Sequence, residues 1–438
     1  MMIPSAFELA ATIIFGLAIV HTFLSPFVYD FSHYLKMKKQ KDEKRWKAYH
    51  FSSEVLYLLS EVEVIFGIWL IPLFIWYTAH LGWPALIDYL NARSFNDAIY
   101  MMVIVVVIGS RPIFMFIERV LEWIAKLGKD TPAAWWWTIL TIGPLLGSLI
   151  KESGAMAISS LLLVVKFYNY KPSKAFQYAT FGLLFANVSV GGMLASFSSR
   201  ALFFVAKDWG WTSSDMFRMF GWKAIMGILI ANFVYYMIFR KEFAKTFPKK
   251  LPFAKQGNVA QPTPLWITII HIIFCVGIVL ASDSAPIFVG IFLLFLGFYR
   301  ATSFYQGDLH LKGAILVAFF FASLIIHGEL QGWWIIPMIQ NTSYFASQGL
   351  SYILSIFVDN ATVGYVVVGI PNLDSLNRYL VIAGAMAAGG LSVVANAPNP
   401  IGISILRDSF QGRISFMNIF LGALFPSLLF FFIFWIFR

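Results

Sequence analysis

Two acidic residues stand where an apolar chain rarely places one. Asp359 lies within FVDNATVGYVVVG, and Glu152 within Lys151-Glu152-Ser153-Gly154. On insertion scales an acid at mid-membrane depth costs roughly 2.5–3.5 kcal/mol, so it usually has a task. A carboxylate withdrawn from water holds either a proton or a cation, the minimum equipment for exchanging one for the other. Asn360, Thr362 and Asn396 would add hard oxygen ligands for a small cation. A structural acid capping a half-helix N-terminus is the alternative for Asp359, and neither role excludes the other. For Glu152 the alternative is an ion pair with Lys151 or Arg200 that fixes its own segment. Arg200 or Arg111 would then be a fixed charge in place of a second cation.

These acids need backbone that opens beside them. The stretch Gly389-Gly390-Leu391-Ser392-Val393-Val394-Ala395-Asn396-Ala397-Pro398-Asn399-Pro400 sits between two apolar runs. Pro398 and Pro400 remove two N–H donors, and Gly389 and Gly390 let the chain leave helical geometry. A helix broken there frees carbonyls beside Asn396 and Asn399. Such breaks occur only inside protein or beside a water-filled cavity, and they mark ion and substrate sites in secondary transporters. A second candidate break holds Asn187, Gly191 and Gly192, followed by Ser196, Ser198, Ser199 and Arg200.

Composition sets the class. The 438 residues are 59% hydrophobic and 12% charged, with mean hydropathy +0.75, which defines a polytopic helical membrane protein in a lipid bilayer. The net charge of +10 comes mostly from loops, so it reports topology and not nucleic acid. Cys275 is alone, which excludes an intramolecular disulfide framework. Residues 7–29 lack the flanks of a signal peptide and read as a retained span.

Spans are expected at about 7–29, 51–78 (kinked near Pro72), 97–117 (interrupted at Arg111-Pro112) and 221–239, with a broken span over 174–206. Residues 132–168 carry Gly143-Pro144 and a polar centre. They read as a re-entrant hairpin with its tip near Glu152, a single tilted span being the alternative. A basic linker follows at 241–264. The second half repeats the order: spans at 265–281, 285–299 and 313–326, a hairpin over 333–372 with Asp359 at its tip, a broken span over 376–406, and a last span at 414–437. Glu152 then corresponds to Asp359, Gly191-Gly192 to Gly389-Gly390, and Lys207-Asp208 to Arg407-Asp408. The fold expected is all-α, two repeats (1–240 and 265–438) of five spans, one hairpin and one discontinuous helix each. Five is odd, so the repeats must be inverted.

Charge gives an independent check. The loops that share a side with the linker carry 23 Lys and Arg, and the opposite side carries six. The positive-inside rule puts the linker in the cytoplasm and both termini outside.

Glu61 and Glu63 lie deep enough in the second span to serve a proton path, or to pair with basic residues of neighbouring helices. The seven histidines are scattered without metal-ligand spacing, and His271 reads as a packing histidine. No phosphate-binding loop, nucleophile elbow or dinucleotide fingerprint occurs, so neither ATP-driven pumping nor an enzyme activity is expected. No cofactor or resident metal is expected.

At the two acid-tipped hairpins and the two broken helices the chain resembles the ion transporter superfamily. It is closest to a family of bacterial sodium/proton antiporters with GG…ANAPNP and VDNATVGY patterns. The resemblance implies inverted repeats whose hairpin tips meet broken helices at the midplane, and a homodimer with elevator-like motion. It implies a bacterial cytoplasmic membrane. Carried over by position, the tips are Glu152-Ser153-Gly154 and Asp359-Asn360-Ala361-Thr362. The break residues are Asn187, Gly191 and Gly192, and Gly389, Gly390, Asn396 and Asn399. Dicarboxylate carriers of the superfamily have Ser-Asn-Thr at both tips; this chain has it at neither, and a tip acid would repel a carboxylate. The expected activity is exchange of a small monovalent cation, sodium first, for protons, with Asp359 as the shared carrier. Sodium-coupled movement of an anion, arsenite or carboxylate, is the alternative.

Overall fold

The computed structural model describes residues 5–39, 46–248, 263–309, 311–340 and 342–438. Within them all regular structure is helical, as a backbone that must satisfy itself inside lipid requires. Helix α1 (Ala6–Lys39) packs against both α2 (Trp46–Ser60) and α3 (Val62–Leu81). The single span kinked at Pro72 does not form. Pro72 sits inside α3, and the chain breaks instead at Glu61 (φ −76°, ψ 110°). Residues two apart on a helix face away from each other. The interruption lets Glu61 and Glu63 both meet Arg407, whose Nη2 is 2.6 Å from Glu63 Oε2 and Nη1 3.8 Å from Glu61 Oε1.

Helix α4 (Trp83–Asn91) answers to no expected span and meets α5 (Asn96–Ile108) at 54°. Arg93, in their connection, pairs with Glu329. Helix α6 (Arg111–Ala125) begins after Ser110 with Pro112 in its first turn, so the interruption falls where the sequence predicts. Then come α7 (Pro132–Leu145) and α8 (Gly147–Lys166), which lie against each other, α9 (Lys174–Gly191), α10 (Arg200–Trp209), α11 (Ser213–Met216) and α12 (Trp222–Thr246). Of the predicted linker, residues 249–262 lie outside the described residues, as do 40–45 of the basic loop.

The second half comprises α13 (Leu265–Leu280), α14 (Ala285–Ala301), α15 (Leu311–Gly328), α16 (Gly332–Gln340), α17 (Tyr344–Phe357), α18 (Asn360–Val368), α19 (Ser375–Ala388), α20 (Asn399–Leu406) and α21 (Phe416–Ile436). Among the described residues six helices are long and apolar enough to cross a membrane, or seven if α4 and α5 form one bent span. That is fewer than the ten predicted. The spans at 97–117, 174–206 and 376–406 are split, and α13 and α14, at 16 and 17 residues, reach only about 25 Å against a hydrocarbon core of about 30 Å. One of the six, Gly147–Tyr170, contains non-helical backbone at Ile150 and Lys151, at the predicted hairpin tip.

Packing crosses between the halves. Helix α8, after the first tip, runs along α20, after the second break; α18, after the second tip, runs along α10, after the first break. Helices α9, α12 and α19 all pack on α21. Residues 389–403 are buried throughout.

Candidate functional site

At the first tip the chain turns through Ile150 (φ −113°, ψ 18°) and Lys151 (φ 62°, ψ 159°). The Lys151 conformation belongs to a region glycine normally occupies, and costs a residue with a Cβ about 1–3 kcal/mol. The Glu152 N–H then donates to the Ser198 carbonyl at 3.0 Å. At the second tip Val358 is extended and Asp359 takes the N-cap position of α18 (φ −51°, ψ 138°) without a capping bond from its side chain. The Asn360 N–H donates to the Ala395 carbonyl at 3.1 Å. Each of these segments is thus pinned through one N–H to the non-helical stretch that follows α9 or α19. Glu152 makes this bond in one segment and Asn360 in the other, each the residue after Lys151 or Asp359.

The first break opens later than its glycines predict. Gly191 and Gly192 keep right-handed helical angles, and the chain is extended at Ala195 (φ −134°, ψ 148°) and at Ser199 (φ −129°, ψ 161°), with a turn between them. The glycines serve close approach instead. A Cβ on Gly192 would fall 2.7 Å from Glu152 Oε1. Two serines collect freed carbonyls: Ser148 Oγ donates to Gly191 at 2.9 Å, and Ser198 Oγ to Gly192 and to Ala195; Ser199 instead caps α10, its Oγ accepting from the Leu202 N–H.

The second break spans Gly389 to Pro398, between α19 and α20. Asn399 holds it closed, with Nδ2 donating to the Gly389 and Ser392 carbonyls at 2.7 Å each. Ser392 Oγ donates to Ile356 at 2.6 Å, tying the break to α17.

Between tips and breaks lies a cavity of about 230 Å³. Glu152, Asn360 and Asn396 line its depth with Ser198 and Ser199; Lys151, Asp97, Tyr100 and Asp283 line the way toward the α4–α5 and α13–α14 connections. Glu152 is 3% exposed and Asp359 2%, and the two carboxylates act on each other electrostatically. Asn396 and Ser199 stand beside the Glu152 carboxylate, yet Glu152 Oε1 and Asn396 Nδ2 make no hydrogen bond of good geometry.

The other expected residues lie elsewhere. Asn187 Nδ2 donates to Leu140 and to Asn232 Oδ1 at 2.9 Å each, joining α9 to α7 and α12. Thr362 lies against Gly328 of α15. Asn399 is occupied with the break, and Glu61 and Glu63 with Arg407. Arg111 Nη1 reaches the Tyr305 carbonyl at 3.4 Å. Arg200 opens α10, and its side chain lies outside the described residues. His271 is a packing histidine, with Nδ1 2.8 Å from the Ile267 carbonyl. Sequence reasoning missed Asp97, Tyr100 and Asp283, which stand at helix ends with no signal linking them. It gave Lys151 no place in the site, although adjacency to Glu152 was a usable clue.

A helical chain with membrane-crossing segments and a buried, acid-bearing cavity beside two interrupted helices is an integral membrane transport protein. The family model described as "Putative Na+/H+ antiporter" matches residues 6–437, and the chain belongs to that family. No match is found among curated proteins.

Proposed function

We propose that this protein exchanges sodium for protons, with Glu152 and Asp359 as the pair that holds either cargo. The observation that carries this reading is the buried Glu152 carboxylate, with Oε1 unbonded, in a cavity edged by Asn360 and Asn396 and close enough to Asp359 for the two acids to act on each other. Two carboxylates out of water repel each other, and one proton or one small cation relieves that repulsion. The cargoes therefore compete for one site. Amide and hydroxyl oxygens of Asn360, Asn396 and Ser199 complete a hard donor set. The α8 backbone from Glu152 onward and α18 direct their N-termini at the acids, which favours negative charge there. An acid-lined cavity supports a cation over an anion as cargo. The chain moves ions and needs no bound cofactor.

The same reading takes 132–168 and 333–372 as re-entrant hairpins of two inverted repeats. It puts both termini outside a bacterial cytoplasmic membrane, and the working form is a homodimer.

The test is dissipation of a pH gradient in proteoliposomes on adding sodium, lithium or potassium, for wild type, Glu152→Gln and Asp359→Asn. Cation-dependent proton movement that falls to background in both variants is expected. A wild type that moves no protons with any of these cations overturns the reading. Full activity in either variant removes that residue from the pair.

A further inference from the structure

Two buried carboxylates that act on each other are, by themselves, a better site for a divalent cation than for sodium, because attraction scales with the charge of the ion. Something in the cavity must lower its negative charge without occupying the site. Lys151 is the cation among the described side chains that line the cavity. Its side chain is only 12% exposed, and its Nζ lies 4.0 Å from Asp283 Oδ1 and 4.8 Å from the centre of the Tyr100 ring. It is held in the cavity by a backbone conformation that only glycine adopts freely. It adjoins Glu152 through the chain.

We propose that Lys151 is the residue that makes the site selective for monovalent over divalent cations. This deepens the exchange reading and rests on it. The ammonium repels any arriving cation, and repels a doubly charged one twice as strongly at the same distance. Asp283 and Tyr100 keep it on the cavity wall, so it biases the site without filling it. Asp97, Glu152 and Asp283, which line the cavity with it, and Asp359, which acts on Glu152, are the acids against which that charge is set.

The experiment measures binding of calcium chloride and of sodium chloride by titration calorimetry on the full chain in detergent. Wild type, Lys151→Gln, Lys151→Arg and Ser94→Lys are compared. Ser94 is exposed and lines the same cavity, so its substitution adds a second positive charge there and leaves the Lys151–Asp283 contact in place. Lys151→Gln should raise calcium affinity relative to sodium on the order of tenfold, and Ser94→Lys should lower it. Lys151→Arg should keep the wild-type ratio. A calcium-to-sodium ratio unchanged in both Lys151→Gln and Ser94→Lys overturns the proposal, and if Lys151→Gln does not fold, an unchanged ratio in Ser94→Lys alone does so. Proton movement is read separately in proteoliposomes. Its absence in wild type defeats the exchange reading, whereas the binding ratio judges Lys151 alone.

Discussion

Asn396 and Asn399, three residues apart in one motif, have separate consequences. Asn399 Nδ2 satisfies two carbonyls that the broken helix would otherwise leave buried and unpaired. Asn399→Ala should therefore lower stability by about 1–3 kcal/mol, read as a lower thermal midpoint in detergent. Asn396 faces Glu152 without a bond of its own, so Asn396→Ala should leave the midpoint near wild type and weaken sodium-driven proton movement. Gly192→Ala acts on the same carboxylate from the other side. Its Cβ would fall 2.7 Å from Glu152 Oε1 and 2.8 Å from Cγ, and the Glu152 side chain would have to move. A weaker apparent sodium affinity in a folded protein is expected from pH-gradient assays. At Lys151, glycine should be stabilising. Relief of about 1–3 kcal/mol of backbone strain exceeds glycine's extra unfolded entropy of about 0.5–1 kcal/mol. Lys151→Ala keeps the strain, and its melting temperature should lie below that of Lys151→Gly.

Among the elements, α8 is anchored on the far side from its tip by a fully buried pair. Lys166 Nζ lies 2.5 Å from Glu118 Oε1 of α6 and 4.1 Å from the centre of the Trp135 ring. Removing one partner strands the other charge. Glu118→Gln or Lys166→Met alone should cost about 3–5 kcal/mol, whereas the double replacement Glu118→Leu with Lys166→Met should recover most of it. Denaturant unfolding of the three variants checks this. The Arg407 pairing with Glu61 and Glu63 does the equivalent for α20, tying it to the interruption between α2 and α3. Helices α8 and α20 are thus fixed at their C-terminal ends.

For the whole molecule, the charge asymmetry of the loops predicts which face is cytoplasmic. Cys275 is the sole cysteine, so Cys275→Ser gives a background free of thiols. In it, Asn91→Cys, beside the connection that borders the cavity, should react with an impermeant maleimide from outside intact cells. Gln411→Cys, after α20, should react only once the cytoplasmic face is opened. Both positions are exposed. The reverse pattern would invert the topology and with it the side to which the cavity opens.

Hydropathy and the proline and glycine signals determined by themselves that the chain is helical, membrane-embedded and broken near 389–398, because these are local properties of backbone in lipid. They also marked both acids. Three things were decided only by tertiary structure. The α2–α3 break stands at Glu61, where it lets both acids meet Arg407, 344 residues beyond Glu63. Asn187, Thr362 and Asn399 turned from the cavity because neighbouring helices and freed carbonyls claimed them. The cavity mouth assembled from Asp97, Tyr100, Lys151 and Asp283, residues from separate helix ends. Residue type and spacing report the local backbone, whereas which side chains share a cavity depends on how distant helices cross.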